Sequence, residues 1–109
     1  MEERYAAAAR AGFKGVEVAF PYDYAAPRLH RILKENNLSL VQILAPFNWD
    51  AGERGLAAIP GKEEEFKKSI LQAIEYGIQV GKPMIHVMPG NISPELNWDK
   101  CYETFRGSI

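Results

Sequence analysis

Three apolar segments of the sequence each carry one polar residue near the middle: Glu17 in GVEVAF, Gln42 in LSLVQILA and His86 in MIHVM. A carboxylate, an amide and an imidazole are groups that contact a polar substrate. If all three side chains point to the same side of one sheet, they line a single cavity. The alternative is that they are polar core residues satisfied by their neighbours, or that some of them face outward between helices. The sequence leaves both interpretations open.

A second candidate for chemistry is the long segment WDAGERGLAAIPG, residues 49–61. Most connections between elements take about 4–6 residues, so a longer one calls for a functional explanation. Glu53 and Arg54 could bind one another or a polar substrate, and the planar guanidinium of Arg54 suits a carboxylate. Two interpretations stay open: a lid over the substrate, and an ordered Ω-loop pinned by Trp49 and Ile59. GERG lacks both common phosphate-binding glycine patterns.

Composition excludes several classes of function. With 47% hydrophobic and 25% charged residues, the chain should fold around a core. A net charge of -1 without a basic cluster disfavours nucleic acid as a partner. No apolar stretch approaches the roughly 20 residues of a membrane span, and the N-terminal MEER lacks the features of a secretory signal. We therefore expect a cytoplasmic chain that binds no membrane. Its one cysteine, Cys101, should be a small apolar filler, and His30 should face solvent.

The elements that must position these residues alternate strictly along the chain. Helices are predicted over residues 2–11, 26–37, 63–80 and 93–105, and strands over residues 15–20, 38–45 and 84–88. Gly12 should stop the first helix, and Ser93 should cap the last, with Pro94 in its first turn. The apolar faces predicted for the last three helices are, in order, Leu29, Ile32 and Leu33; Phe66, Ile70, Ala73, Ile74 and Gly77; and Trp98, Cys101, Tyr102 and Phe105.

Alternating strands and helices indicate an α/β fold with a parallel sheet, since helical crossovers usually join parallel neighbours. Loops at the C-terminal ends of such strands carry the active sites of α/β enzymes, and residues 49–61 have that position. Periodicity does not distinguish a barrel from an open doubly wound sheet. Three strands cannot close a barrel, so we expect residues 1–109 to form a single incomplete domain that self-associates through its exposed strand edges.

Three stretches then carry a resemblance: AAAARAGFKGVEVAFPYDY, WDAGERGLAAIPGKEEEF and IHVMPG, in this order and spacing. From about Arg4 to Phe105 the chain resembles the hydroxypyruvate isomerase family of sugar isomerase-like (β/α)8 barrels. The resemblance implies a partial TIM barrel that runs from helix 1 to helix 4 of the family. Strand 1 and strands 5–8 of the family would be absent, which suggests a truncated form.

The resemblance also implies an activity, the interconversion of hydroxypyruvate and 2-hydroxy-3-oxopropanoate (tartronate semialdehyde) through an enediolate. In such barrels the catalytic glutamates and divalent-metal ligands lie on later strands, so no catalytic or metal-binding residue is assigned to this sequence. A divalent metal and the small hydroxy-keto acid substrate belong to full-length members, and this chain alone is expected to be inactive. The residues expected to contact substrate are Glu17, Trp49, Glu53, Arg54 and His86.

Two other functions remain open at this point. A noncatalytic product would at most bind a partner through its exposed sheet edges. A related sugar epimerase, or a barrel of the metal-dependent endonuclease kind, would share the fold. The near-neutral charge speaks against the nuclease.

Overall fold

The computed structural model describes residues 2–109, and its elements follow the predicted alternation. The helices are α1 (Glu3–Arg10), α2 (Ala26–Glu35), α3 (Glu63–Gln79) and α4 (Trp98–Ser108); the strands are β1 (Gly15–Glu17), β2 (Ser39–Leu44) and β3 (Met84–His86). A 3₁₀ turn at Pro21–Asp23 was not predicted. None of the four helices in the described part of the chain is both long and apolar enough to cross a bilayer.

The first two helices begin and end close to where the sequence places them. After α1, Gly12 adopts φ +93°, the left-handed conformation that glycine enters at little cost. In α2 the predicted face is buried, with Leu29 fully so and Ile32 and Leu33 nearly so. His30 is exposed on the same helix, as expected.

The chain divides into two compact units. The first, here called the sheet unit, runs to Leu44 and includes Ile74–His86; the second, the loop unit, comprises Ala45–Ala73 and Val87–Ile109. The expectation of one incomplete domain stays a prediction.

The sheet unit contains three parallel strands in the order β1-β2-β3, which confirms the predicted topology. Along the ladders the register pairs are Gly15–Ser39, Val16–Leu40, Glu17–Gln42, Gln42–Met84, Ile43–Ile85 and Leu44–His86. The register shifts between Val16 and Glu17, so Val41 is passed over as a bulge.

Helices cover one face of this sheet. Ile43 is fully buried, and a Cβ built on Gly77 of α3 would lie 4.0 Å from its Cδ1. Helix α2 also contacts β2. The opposite face is open, since Val41 is 39% and Met84 62% exposed. An arc of a barrel has helices on one face of the sheet only, whereas a doubly wound sheet has helices on both faces. The observed arrangement is that of a barrel.

All three strands are shorter than predicted, β2 by one residue at each end. β1 ends at Glu17 rather than Phe20, although Val18 N–H still donates to the Gln42 carbonyl at 3.2 Å. β3 ends at His86 rather than Met88, because the Met88 carbonyl accepts from Ala57 N–H in the loop unit. The residues predicted to extend β1 and β3 therefore form backbone hydrogen bonds, but these bonds do not continue the regular ladder of the sheet.

The loop unit has its own core. Leu56, Ala57 and Phe66 are buried, and Phe47, Ile70, Val87 and Phe105 pack against them. Three acidic residues occupy the first turn of α3, where the helix dipole favours them.

Two details of helix packing differ from prediction. Ile74 was assigned to the buried face of α3 but is 41% exposed, whereas Ser69 is buried and donates from Oγ to the Pro46 carbonyl at 2.7 Å. Ser69 can be buried because this bond satisfies its hydroxyl.

Helix α4 starts later than expected. Asn97, not Ser93, is the N-cap, because its Oδ1 accepts the N–H of Lys100 at 3.0 Å. Ser93 instead belongs to a turn in which its carbonyl accepts from Leu96 N–H. Cys101 is buried, as predicted, but Trp98 and Tyr102 on the same predicted face are 68% and 57% exposed.

Candidate functional site

The sheet unit brings three of the predicted polar residues to one face. Glu17 and Gln42 are register partners, and His86 pairs with Leu44, two residues beyond Gln42 on β2. Side chains alternate along a strand, and register partners share a face, so all three lie on the open side of the sheet. Glu17 and His86 are exposed and Gln42 is half-buried. Glu17 and His86 are therefore not buried core residues, and their contact with substrate stays a prediction.

The rim of this sheet is fixed by tyrosines that sequence reasoning missed. Tyr22, in the turn after β1, donates its hydroxyl hydrogen to the carbonyl of Leu44, the last residue of β2. Tyr76 of α3 donates to the carbonyls of Pro21 and Tyr24, both at 2.9 Å, and its ring meets that of Tyr22 edge-on at 5.1 Å. Burial raises the pKa of both phenols to about 12. The aromatic run FPYDY was the available signal.

In the loop unit, the first half of the predicted functional loop closes on itself. Asn48 N–H donates to the Glu53 carboxylate at 2.8 Å, and Glu53 N–H returns to the Asn48 carbonyl at 3.1 Å. The Asn48 side chain accepts from Ala51 N–H at 3.1 Å. One oxygen of the Glu53 carboxylate thus bonds the loop backbone, and among residues 2–109 no ion pair joins Glu53 to Arg54. The predicted contact of Glu53 with substrate stays a prediction.

Arg54 is held at the base of this turn. Its Nη1 donates to the carbonyls of Glu53 at 2.6 Å and Trp49 at 3.2 Å. Its Cζ lies 3.6 Å from the centroid of the Trp49 ring, within the range of a cation–π contact. Two of the three residues predicted to contact substrate from this loop, Trp49 and Arg54, therefore form one stacked pair.

The second half of the loop is attached to the segment that follows β3. Gly55 and Pro89 form an antiparallel bridge, and Ala58 N–H donates to the Pro89 carbonyl at 2.8 Å. Asn91 Nδ2 donates to the Gly52 carbonyl at 3.0 Å. Trp49 is 51% exposed, and the buried residues of the loop are Leu56, Ala57 and Ala58. The predicted pin by Trp49 and Ile59 stays a prediction.

A small cleft of about 220 Å³ opens along this loop. Its lining includes the cationic side chains of Arg54 and Lys62 together with Glu53, Gly52 and Asn91. Lys62 pairs at 3.2 Å with Glu65, which is exposed. Lys62 and Asn91 were not singled out in the sequence, because neither belongs to a motif.

Comparison with known proteins now places the chain. The sequence profile of the xylose isomerase-like TIM barrel family matches residues 5–109. This chain belongs to that family. The three parallel strands and their one-sided helices are the part of such a barrel that the sequence predicted.

Relatives within the family carry isomerase names. The chain is 44% identical to the 2-oxo-tetronate isomerase of Cupriavidus necator over 94% of its own length, which is 40% of that protein. It is 38% identical to the hydroxypyruvate isomerase of Escherichia coli over 93% of its length, again 40% of the relative. The chain thus spans about 40% of the curated relatives it matches, and the predicted resemblance to hydroxypyruvate isomerases is confirmed.

A solved structure agrees in fold. The crystal structure of an AP endonuclease, family 2, from Brucella melitensis matches with a TM-score of 0.92 and 42% identity, over 98% of this chain and 42% of that one.

The resemblance implied a divalent metal in full-length members, and the residues of this chain do not by themselves fit one. Within the part of the chain that the structure describes, no three His, Cys, Asp or Glu side chains are grouped closely enough to hold a metal ion. Glu17 and His86 share a face of the sheet, but the residue on the strand between them is Gln42, an amide rather than a carboxylate or an imidazole.

Proposed function

We propose that this chain contributes substrate contacts to an isomerase of small hydroxy-2-oxo acids, with hydroxypyruvate as the first substrate to test. The observation that carries the proposal is 38–44% identity, across almost the whole chain, to relatives named hydroxypyruvate isomerase and 2-oxo-tetronate isomerase. Both names denote short acids with a carbonyl next to the carboxylate.

The reaction shared by such substrates moves a proton between neighbouring carbons. A base removes the proton beside the carbonyl, the electron pair passes to the carbonyl oxygen to give an enediolate, and a proton returns to the former carbonyl carbon. The old hydroxyl loses its proton as the new carbonyl forms, and the former carbonyl oxygen takes up a proton to become a hydroxyl. The two isomers therefore have the same composition, and no oxidant is needed. A divalent metal in the full-length enzyme would supply charge stabilisation for the enediolate.

The residues of this chain would bind rather than catalyse. In the sheet unit, Glu17 and His86 lie exposed on the open face and would hydrogen-bond substrate hydroxyls. In the loop unit, Arg54 and Trp49 would contact substrate, while Glu53 shapes the turn through its bond to Asn48. We further propose that the enzyme is cytoplasmic.

The test compares this chain with a chimera. In the chimera, residues 5–109 replace the aligned segment of the Cupriavidus necator relative, which supplies the remaining length. Isomerisation of hydroxypyruvate and of 2-oxo-tetronate is measured with added divalent metal and with chelator. We expect no turnover by the 109-residue chain and turnover by the chimera.

Substitutions in the chimera separate the contributions. Arg54→Ala should raise KM more than Gln42→Ala does, because Arg54 is proposed to contact the substrate and Gln42 is not. Circular dichroism of each variant checks folding. Turnover by the chain alone would place the catalytic residues within it and overturn our assignment of roles. A folded chimera that acts on neither acid would overturn the proposed function.

A second candidate comes from the solved Brucella melitensis structure, whose protein is named an AP endonuclease. The 13 basic and 14 acidic residues of this chain offer no charge excess toward DNA. Cleavage of a duplex with one abasic site by the same chimera, without isomerase activity, would favour this candidate.

A further inference from the structure

The guanidinium of Arg54 is fixed in position before any ligand arrives. Its Nη1 donates hydrogen bonds to the carbonyls of Glu53 at 2.6 Å and Trp49 at 3.2 Å, and the centroid of the Trp49 ring lies 3.6 Å from Cζ. A long side chain that is already ordered loses less conformational entropy when it binds. Arg54 is thus a preorganised cation rather than a freely rotating surface arginine.

The other donors of this guanidinium are available. An arginine carries five N–H groups, and the two on Nη1 point toward the loop carbonyls. Across residues 2–109, Nε and Nη2 of Arg54 make no hydrogen bond or ion pair. These two nitrogens form the edge that binds both oxygens of a carboxylate at once.

The acid that precedes Arg54 in the sequence is held by the loop. The Glu53 carboxylate accepts from Asn48 N–H at 2.8 Å and forms no ion pair with its neighbour Arg54 in the described chain. Arg106, by contrast, pairs with Glu103 at 3.3 Å. The loop therefore uses its carboxylate to bind its own backbone and leaves the arginine edge for another anion.

The surroundings favour a small anionic ligand. The cleft of about 220 Å³ is lined by a second cation, Lys62, which also pairs with Glu65, and by the Asn91 side chain. Its one acidic residue, Glu53, accepts a hydrogen bond from Asn48 N–H. The cleft is smaller than the roughly 300–1,000 Å³ of pockets for drug-sized ligands, and a three- or four-carbon acid needs no more.

We propose that Arg54, stacked on Trp49, anchors the substrate carboxylate through Nε and Nη2, and so selects 2-oxo acids over neutral sugars. Trp49 is a positioning residue that holds the guanidinium plane. The inference rests on the proposed function, because that function supplies the class of ligand.

The test measures binding to the chain as it stands, independently of activity. Calorimetry compares hydroxypyruvate with dihydroxyacetone, its neutral counterpart in which CH₂OH replaces the carboxylate, at matched ionic strength. In a Trp98→Phe background, Trp49 is the only tryptophan and its emission reports on the stacked pair. We expect hydroxypyruvate to bind saturably and change this emission, and dihydroxyacetone to do neither.

Variants then identify the anchor. Arg54→Gln should weaken hydroxypyruvate binding by about tenfold or more, the scale of one lost charge-assisted hydrogen bond. Arg54→Lys keeps the positive charge but loses the two parallel N–H donors of the guanidinium. It should bind hydroxypyruvate several-fold more weakly than the parent chain does. Arg106→Gln, an exposed arginine of the same unit, is the matched control and should bind as the parent does. Trp49→Leu should weaken binding, and Trp49→Phe should restore most of it.

Each contrary result is decisive. Equal binding of dihydroxyacetone, equal binding by Arg54→Gln, or no binding of hydroxypyruvate to either the parent chain or the folded chimera would overturn the anchor. If hydroxypyruvate binds through Arg54 but the folded chimera has no isomerase activity, the anchor stands and the proposed function fails. If the chimera is active and Arg54→Gln leaves its KM unchanged, the proposed function stands and the anchor fails.

Discussion

Gly55 shows how closely two backbone segments of the loop unit approach each other. It has φ +116°, and a Cβ at this position would lie 2.1 Å from the Met88 carbonyl oxygen. The contact is with backbone, which has little room to move away. Position 55 therefore requires glycine for two reasons: its backbone has a positive φ, and the Met88 carbonyl leaves no room for a Cβ atom.

Gly55→Ala should lower the free energy of unfolding by about 2–5 kcal/mol, the sum of left-handed backbone strain and overpacking. Gly52→Ala is the matched control, because Gly52 also has positive φ, at +87°, but a Cβ there would meet nothing within 4 Å. It should cost only the backbone part, about 1–2 kcal/mol. Urea unfolding of both variants measures the difference. Equal losses in the free energy of unfolding would show that the backbone at Met88 moves away from the added Cβ at little cost.

At the scale of elements, two connections depend on side-chain hydrogen bonds. The first turn of α4 is capped by Asn97, whose Oδ1 accepts the N–H of Lys100. The turn after β1 is tied to the end of β2 by Tyr22 and to α3 by Tyr76, and both tyrosine hydroxyls donate to backbone carbonyls.

Asn97→Ala should destabilise the chain by about 0.5–2 kcal/mol, the usual worth of an N-cap. Ser93→Ala is the comparison, and it should cost clearly less because the Ser93 side chain does not cap α4. Unfolding monitored by far-UV circular dichroism measures both. A larger loss for Ser93→Ala would mean that α4 begins near Pro94 in solution.

Alkaline pH should loosen the tyrosine connections. Burial raises the pKa of Tyr22 and Tyr76 from 10.0 to about 12, so the folded chain keeps protons that the unfolded chain gives up. Their contribution to stability is complete below pH 10 and is lost as pH rises toward 12. Tyr76→Phe should therefore show a shallower loss of stability over this range than the parent chain.

The control for this experiment is Tyr102→Phe, because Tyr102 is exposed on α4. It should follow the parent curve, because it leaves Tyr22 and Tyr76 in place. Absorbance of the phenolate during a pH titration counts the tyrosines that ionise only above their ordinary pKa. Identical slopes for Tyr76→Phe and Tyr102→Phe would contradict the assignment of the raised pKa.

For the whole molecule, the main consequence is apolar surface that faces water. The three-stranded sheet leaves the outer edges of β1 and β3 unpaired within the described chain. Its open face exposes Val41 and Met84, and in the loop unit Trp98 and Tyr102 are exposed on α4. Surfaces of this kind promote association.

We expect the 109-residue chain to self-associate or unfold broadly at micromolar concentration, as sedimentation and thermal unfolding would show. Charged substitutions on the open sheet face, Val41→Lys with Met84→Lys, should shift the chain toward monomer. Leu71→Lys, at a position 58% exposed on α3, is the control and should have less effect. A parent chain that is monomeric with a sharp cooperative transition would show that its core is larger than its exposed surface suggests.

The sequence by itself determined the order of elements, the parallel α/β class, the buried face of α2 and the family. These follow from local patterns, such as Leu29, Ile32 and Leu33 at helical spacing, that repeat within a few residues. It also singled out Glu17, Gln42 and His86, although it could not say which way they point.

Only the tertiary structure decided how distant segments meet. The shared face of Glu17, Gln42 and His86 depends on strand register and on the bulge at Val41. The bond from Asn91 to Gly52 joins residues 39 positions apart, and the cap on α4 and the stack of Arg54 on Trp49 depend on the path of each turn. Periodicity reports which side of an element is apolar, whereas register, turn geometry and hydrogen-bond partners are set by the backbone positions that packing selects.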